Sequence, residues 1–342
     1  MDTQDVSETT QALTIATQKG VDINFSSVEL TLSLDDFSDR MLDPAMARLA
    51  ADVEATIITA MYKDVYNYSG TPATTPSTLL AALNARVKLN QGLAPKDGNR
   101  HLLYDSIAMA ATVNDLKALF HASSEVEKQY KLGMMGRAAG FDWWESEMVP
   151  VHINGSRTDT TPVTTITADQ NSASLVVTGA GNALTYKQGD VFTIALVYAV
   201  NPETKVAYSH LQQFVVTADV TSSAGGDVTL AISPTLTATG AKQTVSVTAG
   251  SRALTNLTGG GSGAASAVYS QPLAYHRDAF TFVTADLEMP KGVDFAAREQ
   301  YDGISLRVVR DFDIVNDKFP CRIDVLFGFK TIRPGWACRV RG

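Results

Sequence analysis

The chain has 342 residues, 45% hydrophobic and 19% charged, with a formal net charge of -8 and five histidines. That length exceeds what one core usually organises, so two or three domains are expected of a folded, soluble and weakly charged protein rather than a disordered one. The acidic balance excludes broad electrostatic binding to nucleic acid, which needs clustered Lys and Arg to displace counterions, so any contact with DNA is expected to be weak or local. No apolar run reaches the roughly 18 residues of a membrane span, and Met1 to Thr10 is polar and acidic. Neither a transmembrane segment nor a secretory signal is predicted. Cys321 and Cys338 are the two cysteines. They make neither a zinc framework nor a disulfide scaffold, and they fit a reducing cytosol.

In chain order, Leu13 to Thr17 and Val28 to Leu34 alternate apolar and polar side chains. Period two means a strand with one buried face. With Gln18-Lys19-Gly20-Val21-Asp22 between them, the pair is expected to form an extended two-stranded arm that needs a partner surface. A long helix follows from about Pro44, a residue suited to a first helical position. Met46, Leu49, Val53, Ile57 and Ala60 recur at helical spacing, opposite Arg48, Asp52, Thr56 and Thr59. Continued to Tyr66, before Gly70 and Pro72, the rod would be about 35 Å long.

A second helix is expected over Thr78 to Leu89, with Leu79, Leu83 and Val87 on one side and Gly92 and Pro95 at its close. The stretch Asn99 to Lys131 reads as a strand at His101 to Tyr104 and helical pieces near Ile107 to Ala111, Asn114 to His121 and Ser124 to Tyr130. Gly133 to Gly140 is loose and Phe141 to Ile153 reads as strand, giving a compact α/β body rather than a parallel nucleotide-binding sheet.

At about Gly155 the composition changes to Ser, Thr, Ala, Gly and Val. Strands are expected at Ser174 to Thr178, Val191 to Ala199, Gln212 to Ala218, Val228 to Ile232 and Gln243 to Thr248, a spacing that predicts a small antiparallel barrel or sandwich. Gly259 to Ala267 reads as a flexible linker. Mixed sequence resumes beyond Tyr269, so the all-β block is inserted into another domain. The last runs, Ala279 to Ala285, Ile304 to Phe312 and Arg322 to Ile332, are expected to complete the sheet begun before the insertion. Leu306 and Val308 share one face of their strand, as do Ile323, Val325 and Phe327 of the next.

Residues that carry chemistry do not converge at any recognisable spacing. His101, His121, His152, His210 and His276 show no metal-ligand pattern and read as isolated structural or surface histidines. Gly179-Ala180-Gly181 and Gly259-Gly260-Gly261-Ser262-Gly263 lack the Gly-Lys-Ser/Thr of a phosphate loop. Asp311, Asp313 and Asp317 lack the glycine of a calcium loop and read as surface acids. Phe141, Trp143 and Trp144 have no basic neighbours for a base or sugar platform and suit a packed strand or a subunit contact. No catalytic, cofactor-binding or metal-binding residue is nominated, and no enzyme is expected.

The ordered segments resemble a known family. Gln18 to Asp22 followed by Ser27 to Ser38 and Asp43-Pro44-Ala45, Gln188 to Ile194, Val200-Asn201-Pro202, Leu211 to Thr217, Ala279 to Leu287, Tyr301 to Arg310 and Arg322 to Gly328 are similar to the coat proteins of short-tailed phages, whose capsid fold carries an inserted β-domain. The likeness covers nearly the whole chain and is weakest from Thr221 to Ser270. It implies an α+β protein of the Hong Kong phage-type capsid fold. Residues 1–38 would be its extended loop, 39–98 the spine helix and peripheral domain, 99–154 an axial α/β domain, 155–270 an inserted antiparallel β-barrel, and 271–342 the returning strands.

The family's usual N-terminal arm and helix are expected to be missing ahead of the loop, so arm-dependent contacts are not carried over. The resemblance further implies a major capsid protein of the virion, assembled in the host cytoplasm as pentamers and hexamers around a scaffolding protein. A portal and enclosed double-stranded DNA would be its other partners, with no membrane and no cofactor. Two alternatives remain at this point: a nanocompartment shell enclosing cargo protein, and a glycan-binding surface protein built on the Ser/Thr-rich block.

Overall fold

The computed structural model describes residues 10–26, 28, 43–71, 74–115, 135–156, 162–257, 268–301 and 303–342. In chain order these hold β1 (Thr17–Ser26), α1 (Asp43–Met61), β2 (Tyr68–Ser69), α2 (Leu79–Gln91), β3 (Arg100–Tyr104), α3 (Ser106–Asp115), β4 (Arg137–Ala138), β5 (Phe141–Glu145) and β6 (Val151–Ile153). A run of strands follows: β7 (Val163–Ile166), β8 (Asn171–Thr178), β9 (Thr185–Tyr186), β10 (Val191–Val200), β11 (Ala207–Val216), β12 (Val220–Thr221), β13 (Val228–Thr237), β14 (Val245–Val247) and β15 (Gly250–Asn256). The chain closes with β16 (Val268–Ser270), β17 (Leu273–His276), β18 (Phe280–Ala285), β19 (Phe295–Tyr301), β20 (Ile304–Arg310), β21 (Lys318–Thr331) and β22 (Ala337–Val340). It divides into two units: Met1–Ile57 with Phe280–Ile332, and Ile58–Ala279 with Arg333–Gly342.

The first unit is organised by β21. β1 pairs antiparallel with it from Thr17 opposite Phe327 to Ser26 opposite Lys318, while β20 and β18 pair with its other edge and β19 continues from β20. Ile323, Val325 and Phe327 share one face with Val21 and Ile23, and α1 lays Ala45, Leu49, Val53 and Ile57 across that face. The helix opens at Asp43, an acid in the first turn where the helix dipole favours it. It ends at Met61 rather than Tyr66, and a 3-10 turn over Tyr62–Asp64 takes over. Its buried edge is centred on Ala45 and Leu49, leaving Met46 42% exposed.

The expected arm is different in detail. One strand, Thr17–Ser26, occupies the stretch read as a turn, because Gly20 supports close backbone approach rather than chain reversal. It sits opposite Asp324, where a Cβ would lie 3.0 Å from the Asp324 Cβ. The second half of the arm, 29–34, falls outside the described residues.

The second unit combines a mixed sheet with a barrel. The sheet runs β2-β22-β17-β3-β5-β4, with β3 parallel to β5 and β2 parallel to β22. The sheet is thus mixed, with two parallel pairs among antiparallel ones, and is not a parallel nucleotide-binding sheet. The Phe141 to Ile153 run is broken into β5 and β6 ahead of Pro150, which has no N–H for a ladder. α2 packs Ala81, Ala82, Ala85 and Leu89 on Leu102, Phe141, Trp143 and Cys338. Of the face expected to be buried, Leu79 packs against this core, whereas Leu83 and Val87 are turned outward and exposed. Small alanines let helix and sheet approach closely, and an Ala/Leu-rich helix offers two apolar stripes between which periodicity alone does not choose. Of the helical pieces expected beyond α3, all but Asn114 and Asp115 lie outside the described residues, as does the Gly259 to Ala267 linker.

The inserted block is a closed barrel. β10, β11, β13, β8, β7 and β15 form a six-stranded ring, shut by the pairing of β10 with β11, and β14 adds to β10. β10 serves three neighbours by bending at Leu196 (φ 60), near the shift in its register with β11. Alternate side chains fill the interior, with Leu175, Ile194, Phe214, Val216 and Leu230 among those wholly buried. Closure removes the exposed edges that an open antiparallel sheet would present.

Candidate functional site

The barrel leaves and rejoins the body through a narrow neck. β6, just before the block, pairs antiparallel with β16, just after it, Val151 opposite Ser270 and Ile153 opposite Val268. Three polar contacts fix the barrel beside this neck. His152 on β6 meets Asp190 at the start of β10, Nε2 to Oδ1 2.8 Å, and its Nδ1 lies 3.0 Å from the Tyr62 hydroxyl. The second Asp190 oxygen accepts the Lys187 N–H at 2.9 Å and the Gly155 N–H at 3.3 Å. Gly155 has no room for more: a Cβ there would collide with the Thr185 carbonyl.

Arg339 on β22 donates Nη1 to the Gly189 carbonyl at 2.7 Å and stands 5.2 Å from the centre of the Tyr62 ring. Gln213 on β11 grips the Tyr68 backbone from both sides, accepting its N–H at 2.8 Å and donating to its carbonyl at 2.8 Å. Burial pushes the Arg339 pKa down to about 10 and raises that of Tyr62, so Arg339 stays cationic and the phenol neutral at pH 7.

The Tyr62-His152-Asp190 chain has the order of a proton relay, yet its three side chains are 2%, 3% and 1% exposed. They join segments 38 to 90 residues apart in sequence by buried hydrogen bonds. His276 is likewise buried, its Nε2 3.0 Å from Asp97 and its ring edge-on to Trp336. His101 accepts the Trp144 indole N–H at 3.2 Å. His121 lies outside the described residues.

His210 lines a cavity of about 140 Å³ with Tyr66, Lys88, Tyr208 and Gln243. Burial, helped by Lys88, pushes its pKa down to about 4.

The remaining sequence features are structural. Gly179-Ala180-Gly181 is a turn whose Ala180 N–H is taken by the Gly226 carbonyl. Asp313 spends both carboxylate oxygens on Val315 and Asn316, and no group of three or more acidic, His or Cys side chains among the described residues is arranged to hold a metal. Phe141 and Trp143 are core residues, whereas Trp144 is 55% exposed. Burial raises both thiols, Cys338 to about 11, which leaves neither a ready nucleophile. No described helix is long and apolar enough to cross a membrane. Sequence reading missed Asp190, Arg339 and Gln213 as a set. The available signal was Gln188-Gly189-Asp190, a turn placed directly before the longest apolar strand of the block.

Buried polar pairs thus join segments distant in sequence, beside a barrel closed on its own core. The chain matches the model of the family described as "P22 coat protein - gene protein 5" over residues 1–338, and it belongs to that family. It is a phage major capsid protein.

Solved structures similar to it are also phage proteins. A chain of Mycobacterium phage Che8 is 12% identical with a TM-score of 0.45, over 96% of this chain and 71% of that one. The capsid structure of the cyanophage P-SCSP1u is 10% identical with a TM-score of 0.41, over 99% and 79%. The mature capsid of bacteriophage PhiM1 is 10% identical with a TM-score of 0.40, over 96% and 71%. No curated protein matches the chain. The family assignment rests on the family match.

Proposed function

We propose that the chain self-assembles into the pentamers and hexamers of an icosahedral shell that encloses double-stranded phage DNA, with a scaffolding protein and a portal as its assembly partners. In this reading the fold is of the Hong Kong phage type, α1 is the spine helix, 1–38 the extended loop, 39–98 and 99–154 the peripheral and axial parts, 155–270 the inserted barrel, and 271–342 the returning strands that complete the peripheral and axial parts. The subunit has no catalytic, cofactor or metal site, and it is assembled in the host cytoplasm. The observation that carries the reading is the family match over residues 1–338. A net charge of -8 agrees with a wall that encloses DNA without gripping it. The test is the protein inventory of purified phage particles that encode this chain. It should be the most abundant protein, in large excess over the portal; presence at a few copies per particle would refute the reading.

A further inference from the structure

The cavity that holds His210 is polar, basic and without a counter-charge. Its wall joins α2, through Lys88 and Gln91, to the barrel strand β11, through Tyr208 and His210, and it contains no aspartate or glutamate. Lys88 is half-buried, and its ammonium has no hydrogen-bond or ion-pair partner among the described residues. His210 stands close enough to feel that charge, and its ring is kept in place by stacking on Tyr208 with centres 5.3 Å apart. Lys205, whose Nζ lies 3.4 Å from the carbonyl of the lining residue Gln243, adds a third base at the rim.

A cation taken from water without a counter-charge is costly. Burial lowers the pKa of Lys88, and burial together with Lys88 lowers that of His210 to about 4. An anion between the two relieves both. The volume of about 140 Å³ corresponds to on the order of ten waters. One small tetrahedral ion fits with some of its water, whereas a drug-sized molecule does not.

The wall also selects among such ions. Gln91 Oε1 is buried and accepts no hydrogen bond, so it needs a donor from within the cavity. The Tyr208 hydroxyl accepts the Asn201 amide at 3.1 Å and keeps its own proton to give. A phosphate that retains a P–OH meets both demands, with acceptor oxygens for Lys88, His210 and Tyr208 and a donor for Gln91. Sulfate at neutral pH and the diester linkage of DNA carry no such O–H.

We propose that this cavity binds hydrogen phosphate, as the free ion or the end of a monoester, between Lys88 of α2 and His210 of β11, with Gln91 accepting its P–OH. The anion ties α2 to the barrel beside the grip of Gln213 on Tyr68, since Gln213 lines the same cavity. It also favours a proton on His210, so binding tightens as the pH falls from 7 toward 5. The titratable groups around that imidazole are Lys88 from α2, Tyr208 from its own strand, Tyr66 from the segment before β2 and Lys205 at the rim, with no carboxylate among the lining residues.

Calorimetric titration of the full chain with sodium phosphate at pH 6, in chloride buffer, tests the site. One ion per chain is expected, bound more weakly at pH 7.5, with sulfate weaker still at either pH. Lys88→Met should lower the affinity about tenfold or more, and Lys88→Arg should keep most of it. Phosphate should raise the melting temperature of the parent but not of Lys88→Met, whose own cooperative melting shows that it is folded. In imidazole spectra, the resonance that vanishes in His210→Gln should titrate near 4 without phosphate and move toward the ordinary 6.5 with it. Glycerol phosphate bound as tightly as the free ion assigns the site to monoester ends, and a clear preference for the free ion assigns it to inorganic phosphate. No binding, or binding unchanged in both Lys88→Met and His210→Gln, would overturn the proposal. So would sulfate or a short DNA duplex competing on equal terms, because neither supplies the proton that Gln91 needs.

Discussion

Arg307 closes onto Asp324 with two parallel hydrogen bonds, Nε to Oδ1 at 3.0 Å and Nη2 to Oδ2 at 2.7 Å, and the carboxylate is almost wholly buried. Gln18 adds a third donor at 2.7 Å. The pair links β20 to β21, and the glutamine brings in β1 from the far end of the sequence. Asp324→Ala would leave a half-buried guanidinium without its partner and cost about 3–5 kcal/mol. Hydrogen exchange of the β1 amides measures this directly, since all three tryptophans lie outside this unit. Unchanged protection across Thr17–Ser26 would contradict the role assigned to the pair.

Asp190 holds the neck of the barrel by serving His152, Lys187 and Gly155 together. Asp190→Ala strands these buried donors, so a loss of about 3 kcal/mol or more is expected. Exchange should rise in β6 and β16. The barrel's own core, built on residues such as Leu230 and Phe214, should keep its protection. Equal loosening of neck and barrel would show that the two do not separate energetically.

The histidine in the cavity gives a pH dependence with a definite sign. Folding holds the His210 pKa at about 4, against an ordinary 6.5, so the unfolded chain takes up the proton first as the pH falls. Stability present above pH 6.5 is therefore lost progressively down to about pH 4, and Lys88 beside it adds repulsion once His210 is charged. His210→Gln should flatten the slope of melting temperature against pH in that window. An identical slope in the variant would assign the dependence to another group.

The sequence conveys periodicity and composition well, and several elements that depend on them are where they were expected, whereas Leu13 to Thr17, read as a strand from the same alternation, is irregular up to Ala16. The barrel block, α1, β3 and the buried face of β21 follow from alternation or a 3.6-residue repeat. Two elements were read differently for physical reasons. Gly20 has the composition of a turn, but its missing side chain lets β1 pass close to Asp324. α2 has two apolar faces, and only the sheet beneath it selects Ala81, Ala85 and Leu89 over Leu83 and Val87. The neck was illegible because its partners, Tyr62, His152, Asp190 and Arg339, lie far apart in the sequence and are brought together only by the fold.

The central claim is that this chain builds a closed shell. Electron microscopy of the purified full chain, alone and with the phage's scaffolding protein, tests it most directly. Closed particles or hexagonally ordered sheets are the predicted result. Dispersed single subunits under both conditions would contradict it.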